Sequence, residues 1–142
     1  MSTELVVKKT YTASAERVYD AFLDPAKAGK FLFCTPTGTM VKLEIDARVG
    51  GKFNFTDRRD EEDVEHLGEY HELIRPTRIV FSFLVQFKGQ PSPSTKVEVD
   101  IVPQGSGCEL TLTHHGVPPQ VRERSQGGWT KILEKLAIVA EA

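Results

Sequence analysis

Four histidines, His66, His71, His114 and His115, are the side chains of this sequence best suited to binding a metal or moving a proton near neutral pH. Their spacing argues against a shared metal. Neighbours on a strand point to opposite faces, so His114 and His115 cannot chelate together, and His66 and His71 differ in parity unless Gly68 forms a bulge. One inward histidine is expected at His114, in phase with Leu110 and Leu112, either as a hydrogen-bonded core residue or as a pocket polar group or general acid/base. Glu44, Glu69, Tyr70 and Arg17 are the remaining polar candidates. A carboxylate facing an apolar cavity would have a raised pKa and could act on a substrate. Tyr70 shares parity with Gly68 and Glu72, and the pattern leaves open which of these faces turns inward. Cys34 and Cys108 stand in no CxxC or Cys/His spacing and read as two reduced thiols. The chain carries no nucleophile elbow, P-loop, dinucleotide fingerprint or paired-carboxylate motif, so neither a metal nor a cofactor is expected.

Aromatic residues form a second pattern. Phe53 and Phe55 share one face of a strand, and Ile79, Phe81 and Phe83 share one face of another. Both rows should point inward, as core or as the lining of an internal cavity. Trp129 is a large apolar wall whose indole N–H needs a partner in either case.

These side chains must be positioned by one modest core. The 142 residues are 39% hydrophobic, within the range of one domain that buries roughly two-thirds of its unfolded surface. Charged residues make up 27% and the formal net charge is -2, without the basic excess that a nucleic-acid partner requires. No window approaches the roughly 18 apolar residues of a membrane span. The N-terminus, MSTELVVKKTY, has no secretory pattern, and a cytoplasmic location is expected.

Glu4 to Thr12 is β-branched and reads as a strand. Ser14 stands as an N-cap before AERVYDAFLD, where Val18, Ala21 and Phe22 recur at helical spacing. Asp24 and Pro25 cap a second short helix in DPAKAGKFLF, which should end before a loop at Pro36 and Gly38. From Met40 the period becomes two. MVKLEID and KFNFTD flank a hairpin at Gly50 and Gly51, and Asp57 to Asp63 (DRRDEED) reads as a solvated hairpin tip without chemistry. Four further strands are expected at Val64 to Ile74, Arg78 to Phe87, Thr95 to Val102 and Cys108 to His115, separated by RPT, KGQPSPS and PQGSG. Short turn-like dividers favour an antiparallel meander and exclude a doubly wound parallel sheet. Pro118 and Pro119 open the last helix, with Trp129, Ile132, Leu133, Leu136, Ala137 and Ala140 on one face. Gly127 and Gly128 fall inside that pattern at a cost of about 1 kcal/mol each, implying a close helix approach, a bend at a cavity mouth, or a later helix start.

The segments VKKTYTASAERVYDAFLDP, VGGKFNF, GEYHELIRPTRIVFSF, CELTLTHHG and GGWTKILEKLA, in this order, resemble the activator of heat-shock-ATPase homologue family of the START-like, or SRPBCC, superfamily. The likeness runs from about Val6 to Leu136. It implies an α+β helix-grip fold: a seven-stranded curved antiparallel sheet, two short helices, and a long C-terminal helix closing a cavity. In the superfamily that cavity holds lipids, sterols, polyketides or aromatic hydrophobes, and in a few branches it is an active site. One branch stimulates a ninety-kilodalton heat-shock chaperone ATPase. Two departures alter the cavity mouth. Phe31, Leu32 and Phe33 replace the relatives' tryptophan pair, and Arg122, Glu123, Arg124 and Ser125 stand where relatives often have histidine and glutamate.

The leading expectation is binding of a small hydrophobic or amphipathic ligand. Its walls would be Phe53, Phe55, Phe81, Phe83 and Trp129, with Phe33 and Leu32 near the mouth and His114 or Tyr70 orienting the ligand. The alternatives are a chaperone partner engaged through KGQPSPS or DRRDEED, and a cyclase- or dehydrase-type cavity enzyme using His114, Glu44 or Tyr70 as acid/base. An open sheet edge leaves both a monomer and a homodimer open.

Overall fold

A computed structural model describes residues 4–33 and 38–141. The first strand, β1 (Leu5–Tyr11), leads into helix α1 (Ala15–Leu23), where the Ser14 hydroxyl accepts from the Arg17 amide at 3.2 Å. Such a cap is worth about 1 kcal/mol. Asp24 caps the short helix α2 (Pro25–Ala28) in the same way, through the Ala26 amide at 3.0 Å. The expected second helix is therefore only one turn long. Beyond Ala28 the chain turns so that Phe31, Leu32 and Phe33 are all buried, an outcome a continuing helix would forbid by spreading them around its circumference. Cys34 and Pro36 lie outside the described residues; Cys108 is buried, its thiol directed at the Ala13 carbonyl at 3.6 Å.

Strands β2 (Thr39–Ile45), β3 (Lys52–Arg59), β4 (Glu62–Ile74) and β5 (Arg78–Phe87) follow as antiparallel neighbours. A two-residue strand, β6 (Gln90–Pro91), folds the KGQPSPS loop back onto β5. Then come β7 (Thr95–Gln104) and β8 (Gly107–His115). The order β1-β8-β7-β5-β4-β3-β2 gives the seven-stranded antiparallel path, with β6 as an eighth, marginal strand. The sheet curves around helix α3 (Arg122–Ala140), which a short 3-10 turn at Pro119–Val121 introduces. This is the helix-grip arrangement.

Trp129, Leu133, Leu136 and Ala140 are the buried face of α3, with Ile132 and Ala137 packed at its margins. Arg122 Nη2 donates to the Glu4 carbonyl at 2.9 Å, and two further polar contacts tie the helix to the N-terminal strand. The Tyr11 hydroxyl donates to the Leu133 carbonyl at 2.8 Å, and the Thr12 amide donates to Glu141 Oε2 at 2.6 Å. Gly127 and Gly128 lie within the helix, so its start is early, and a Cβ at either would meet nothing within 4 Å. Close approach is therefore not the reason for these glycines.

The segment Asp57 to Asp63 is not simply a wet tip. Asp57 to Arg59 extend β3, Glu62 and Asp63 begin β4, and only Asp60 and Glu61 turn, both at positive φ. Inward parity carries the Asp57 side chain to full burial beside Arg59, at 2.8 Å. Among the described residues no helix is long and apolar enough to cross a membrane.

Candidate functional site

Strand register decides what faces the helix. Phe53 pairs with Gly68, Phe55 with His66, His66 with Val85, Tyr70 with Phe81, and Val97 with His114. Gly68 is required there, because a Cβ would collide with the Phe53 ring and the Ser82 carbonyl. Tyr70 shares the inward parity of Val64 and His66, and a bulge between Tyr70 and Glu72 flips the parity beyond it, so that His71 and Glu72 are exposed and Leu73 turns toward the core.

Phe33 occupies the centre of the resulting aromatic cluster at φ 55°, a left-handed conformation that a side-chain-bearing residue adopts only when its surroundings hold it there. Its ring lies parallel to His66 at 4.6 Å and to Phe83 at 5.0 Å, and edge-on to Phe55 at 5.4 Å and Trp129 at 5.9 Å. Phe53 touches Phe55, Tyr70 and Phe81 in turn. All eight residues singled out from the sequence, Phe33, Phe53, Phe55, Tyr70, Phe81, Phe83, His114 and Trp129, are thus brought into one continuous set of ring contacts.

Phe33 also divides them. On its inner side Phe53, Phe55, Tyr70 and Phe81 enclose only about 10 Å³, no more than a single water needs. They are packed as core, and Leu32, expected near the mouth, is buried among them. On the outer side, Phe33, His66, Phe83, His114, Gly128 and Trp129 border a space of about 150 Å³. A larger cleft of about 410 Å³ adjoins it through the shared Phe83, Val85, His114 and Ser125, and extends past Pro93, Val117, Val121 and Arg124. The room lies between the first turns of α3 and the β5 and β8 ends, not among the inner phenylalanines.

The two histidines at this cleft have different hydrogen-bonding capacity. The Trp129 indole N–H donates to His114 Nδ1 at 3.0 Å, so that nitrogen carries a lone pair and Nε2 carries the proton. Nε2–H then donates to Thr95 Oγ1 at 2.7 Å, and Thr95 donates to the Phe83 carbonyl at 2.9 Å. His114 is saturated. In His66, Nδ1 is 3.1 Å from the Phe55 carbonyl, which accepts only, so Nδ1 holds the proton and Nε2 is the free acceptor. Burial lowers both imidazoles to about 4, with the adjacent His115 adding to the effect on His114; the bond to Phe55 opposes it at His66. Both rings are neutral at neutral pH.

The other sequence candidates lie elsewhere. Glu44 and Arg17 are exposed, Glu69 is half-buried on the opposite parity, and His115 faces outward between Glu4 at 2.9 Å and Glu98 at 2.6 Å. No group of three metal-ligating side chains occurs among the described residues. The cleft-lining residue that sequence reasoning weighed only as a metal ligand, and left out of the ligand walls, is His66. Its parity with Tyr70 was the available signal, since one inward residue on β4 implies the other.

Known proteins with this geometry are numerous. CV1439 of Chromobacterium violaceum is 27% identical, with 99% of each chain covered and a TM-score of 0.86. Mll3558 of Rhizobium loti is 26% identical, covers 97% of this chain and 96% of its own, and has a TM-score of 0.81. CalU16 of Micromonospora echinospora shares the fold at 21% identity and a TM-score of 0.72, over 96% of this chain and 75% of its own. No curated protein matches the chain significantly. The profile of the activator of Hsp90 ATPase homolog 1-like proteins matches residues 12–141, nearly the whole chain, and the protein belongs to that family.

Proposed function

We propose that this protein binds a small hydrophobic or amphipathic molecule in the cleft between α3 and the β5 and β8 ends. The observation that carries this reading is the 410 Å³ apolar cleft with aromatic walls continuing inward to His66 and Trp129. Its size is that of a small-molecule site, and few polar groups converge on it. Trp129, the single tryptophan of the chain, borders the 150 Å³ space beside Phe33 and supplies an intrinsic reporter. Titration with alkylated aromatic probes should shift and saturate its fluorescence. An unchanged spectrum across such probes would contradict the reading.

Binding is favoured over catalysis by the state of the two histidines. His114 has both nitrogens engaged, and His66 is a weak base held near 4, far from the value suited to proton transfer at neutral pH. Of the other acid/base candidates, Glu44 is exposed on β2, outside the cleft, and Tyr70 is packed among the inner phenylalanines, where burial pushes its hydroxyl pKa up.

Family membership supports a second reading, stimulation of a chaperone ATPase. The charges of the β3–β4 hairpin favour it little, because Arg58 pairs with Asp63 and Arg59 with Asp57, both at 2.8 Å. Adding the purified protein to the cognate ninety-kilodalton chaperone tests it; an unchanged ATPase rate would count against that role.

A further inference from the structure

His66 is 6% exposed, its Nε2 has no protein partner among the described residues, and the ring borders the 150 Å³ space on the outer side of Phe33. The side-chain N–H groups of the three ring residues around that space are already spent. The Trp129 indole serves His114, His114 Nε2–H serves Thr95, and His66 Nδ1–H serves the Phe55 carbonyl. Ser125, at the rim, is the remaining hydroxyl and is only half-buried. The floor of the cleft therefore offers an acceptor and no donor. A cavity near 150 Å³ with apolar walls holds one benzene-sized ring.

Resting on the binding reading above, we propose that the cleft selects ligands with an aromatic ring bearing a hydroxyl or N–H, the donor meeting Nε2 of His66 and an apolar tail filling the outer cleft. Phenols with an apolar substituent are the simplest members of this class. Nε2 stays open to water through the cleft until a ligand covers it; a ligand without the donor then removes that water and leaves the acceptor unsatisfied, and an ionised carboxylate brings a second acceptor against the first. His66 sets the chemical selectivity, and the outer cleft supplies affinity.

Calorimetric titration of the intact protein with 4-butylphenol and with its methyl ether, 4-butylanisole, separates the two levels of the claim. The phenol is expected to bind about tenfold more tightly, with the preference reduced to about onefold in His66→Phe, a variant that keeps a ring for Phe33 to stack on. Equal binding of phenol and ether by the unaltered protein would overturn the donor rule while leaving the cleft a binding site. A preference that persists in His66→Phe would overturn the assignment to His66. Binding of neither probe would overturn the cleft reading itself, and the donor rule with it. The comparison of the two probes on the unaltered protein decides the matter should His66→Phe fail to fold.

Discussion

The indole N–H of Trp129 donates to Nδ1 of His114 across 3.0 Å, joining the closing helix to the last strand at the inner end of the cleft. This bond fixes the tautomer of His114 and so the direction of the chain of donors through Thr95 to the Phe83 carbonyl. Trp129→Phe should leave Nδ1 without its donor in a buried place, at a cost of about 1–3 kcal/mol beyond any loss of packing. Denaturant unfolding followed by circular dichroism measures it. An unchanged midpoint would mean that the bond is not held in solution.

Stability should fall on acidification below about pH 6.5. His66 and His114 sit near 4 when folded and near the ordinary 6.5 when unfolded. The unfolded chain therefore takes up these protons first. The stabilisation is fully present above 6.5 and is lost as pH falls toward 4, by up to ~3 kcal/mol for each group. Midpoints measured between pH 7 and 4 should slope less in His66→Phe than in the unaltered protein. Parallel slopes would show that His66 does not titrate as described.

Gly68 and Gly128 should respond oppositely to alanine. At Gly68 a Cβ meets the Phe53 ring and the Ser82 carbonyl, and Gly68→Ala should cost several kcal/mol, on the order of 2 or more. At Gly128 nothing lies within 4 Å, so Gly128→Ala should stabilise the helix by up to ~1 kcal/mol. The same methyl narrows the space bordered by His66 and Trp129, and ligand affinity should drop as stability rises. Thermal unfolding and probe titration of one sample check both halves.

On the outer face Arg78 bonds Glu72 at 2.8 Å, Glu98 at 2.6 Å and Asp100 at 2.7 Å. The carboxyl of Glu98 is held below its usual range by His115 first and Arg78 second. Arg78→Met should cost about 1 kcal/mol, less at high salt, because the group is a network yet partly solvated. Comparing unfolding midpoints of the two proteins in low and high salt gives the answer; a salt-independent difference would point to lost packing of the arginine stem instead.

Much of this molecule was legible in its residues. The Ser14 and Asp24 caps, the period-two strands and the α3 stripe of Trp129, Leu133, Leu136 and Ala140 each obey local rules, and local rules are what sequence patterns record. The convergence of Phe83, His114 and Trp129 was legible for the same reason, since strand parity and helical spacing fix facing directions. What parity alone left open was which face of β4 turns inward, and so the placement of Tyr70 and His66 together, and it could not show the bulge after Tyr70 that reverses the pattern at Glu72 and Leu73. Nor could it show that Phe33, turned inward at positive φ, fills the space between the phenylalanine rows and leaves the vacancy at the outer end. Both depend on contacts between segments distant in sequence.

Native mass spectrometry of the protein as purified, set against the same sample after denaturation, tests the binding role most directly. A bound mass of a few hundred daltons, on the order of what a cleft of this size holds, should be present and lost on denaturation. A bare chain mass that stays bare after incubation with 4-butylphenol would contradict a ligand site in the cleft.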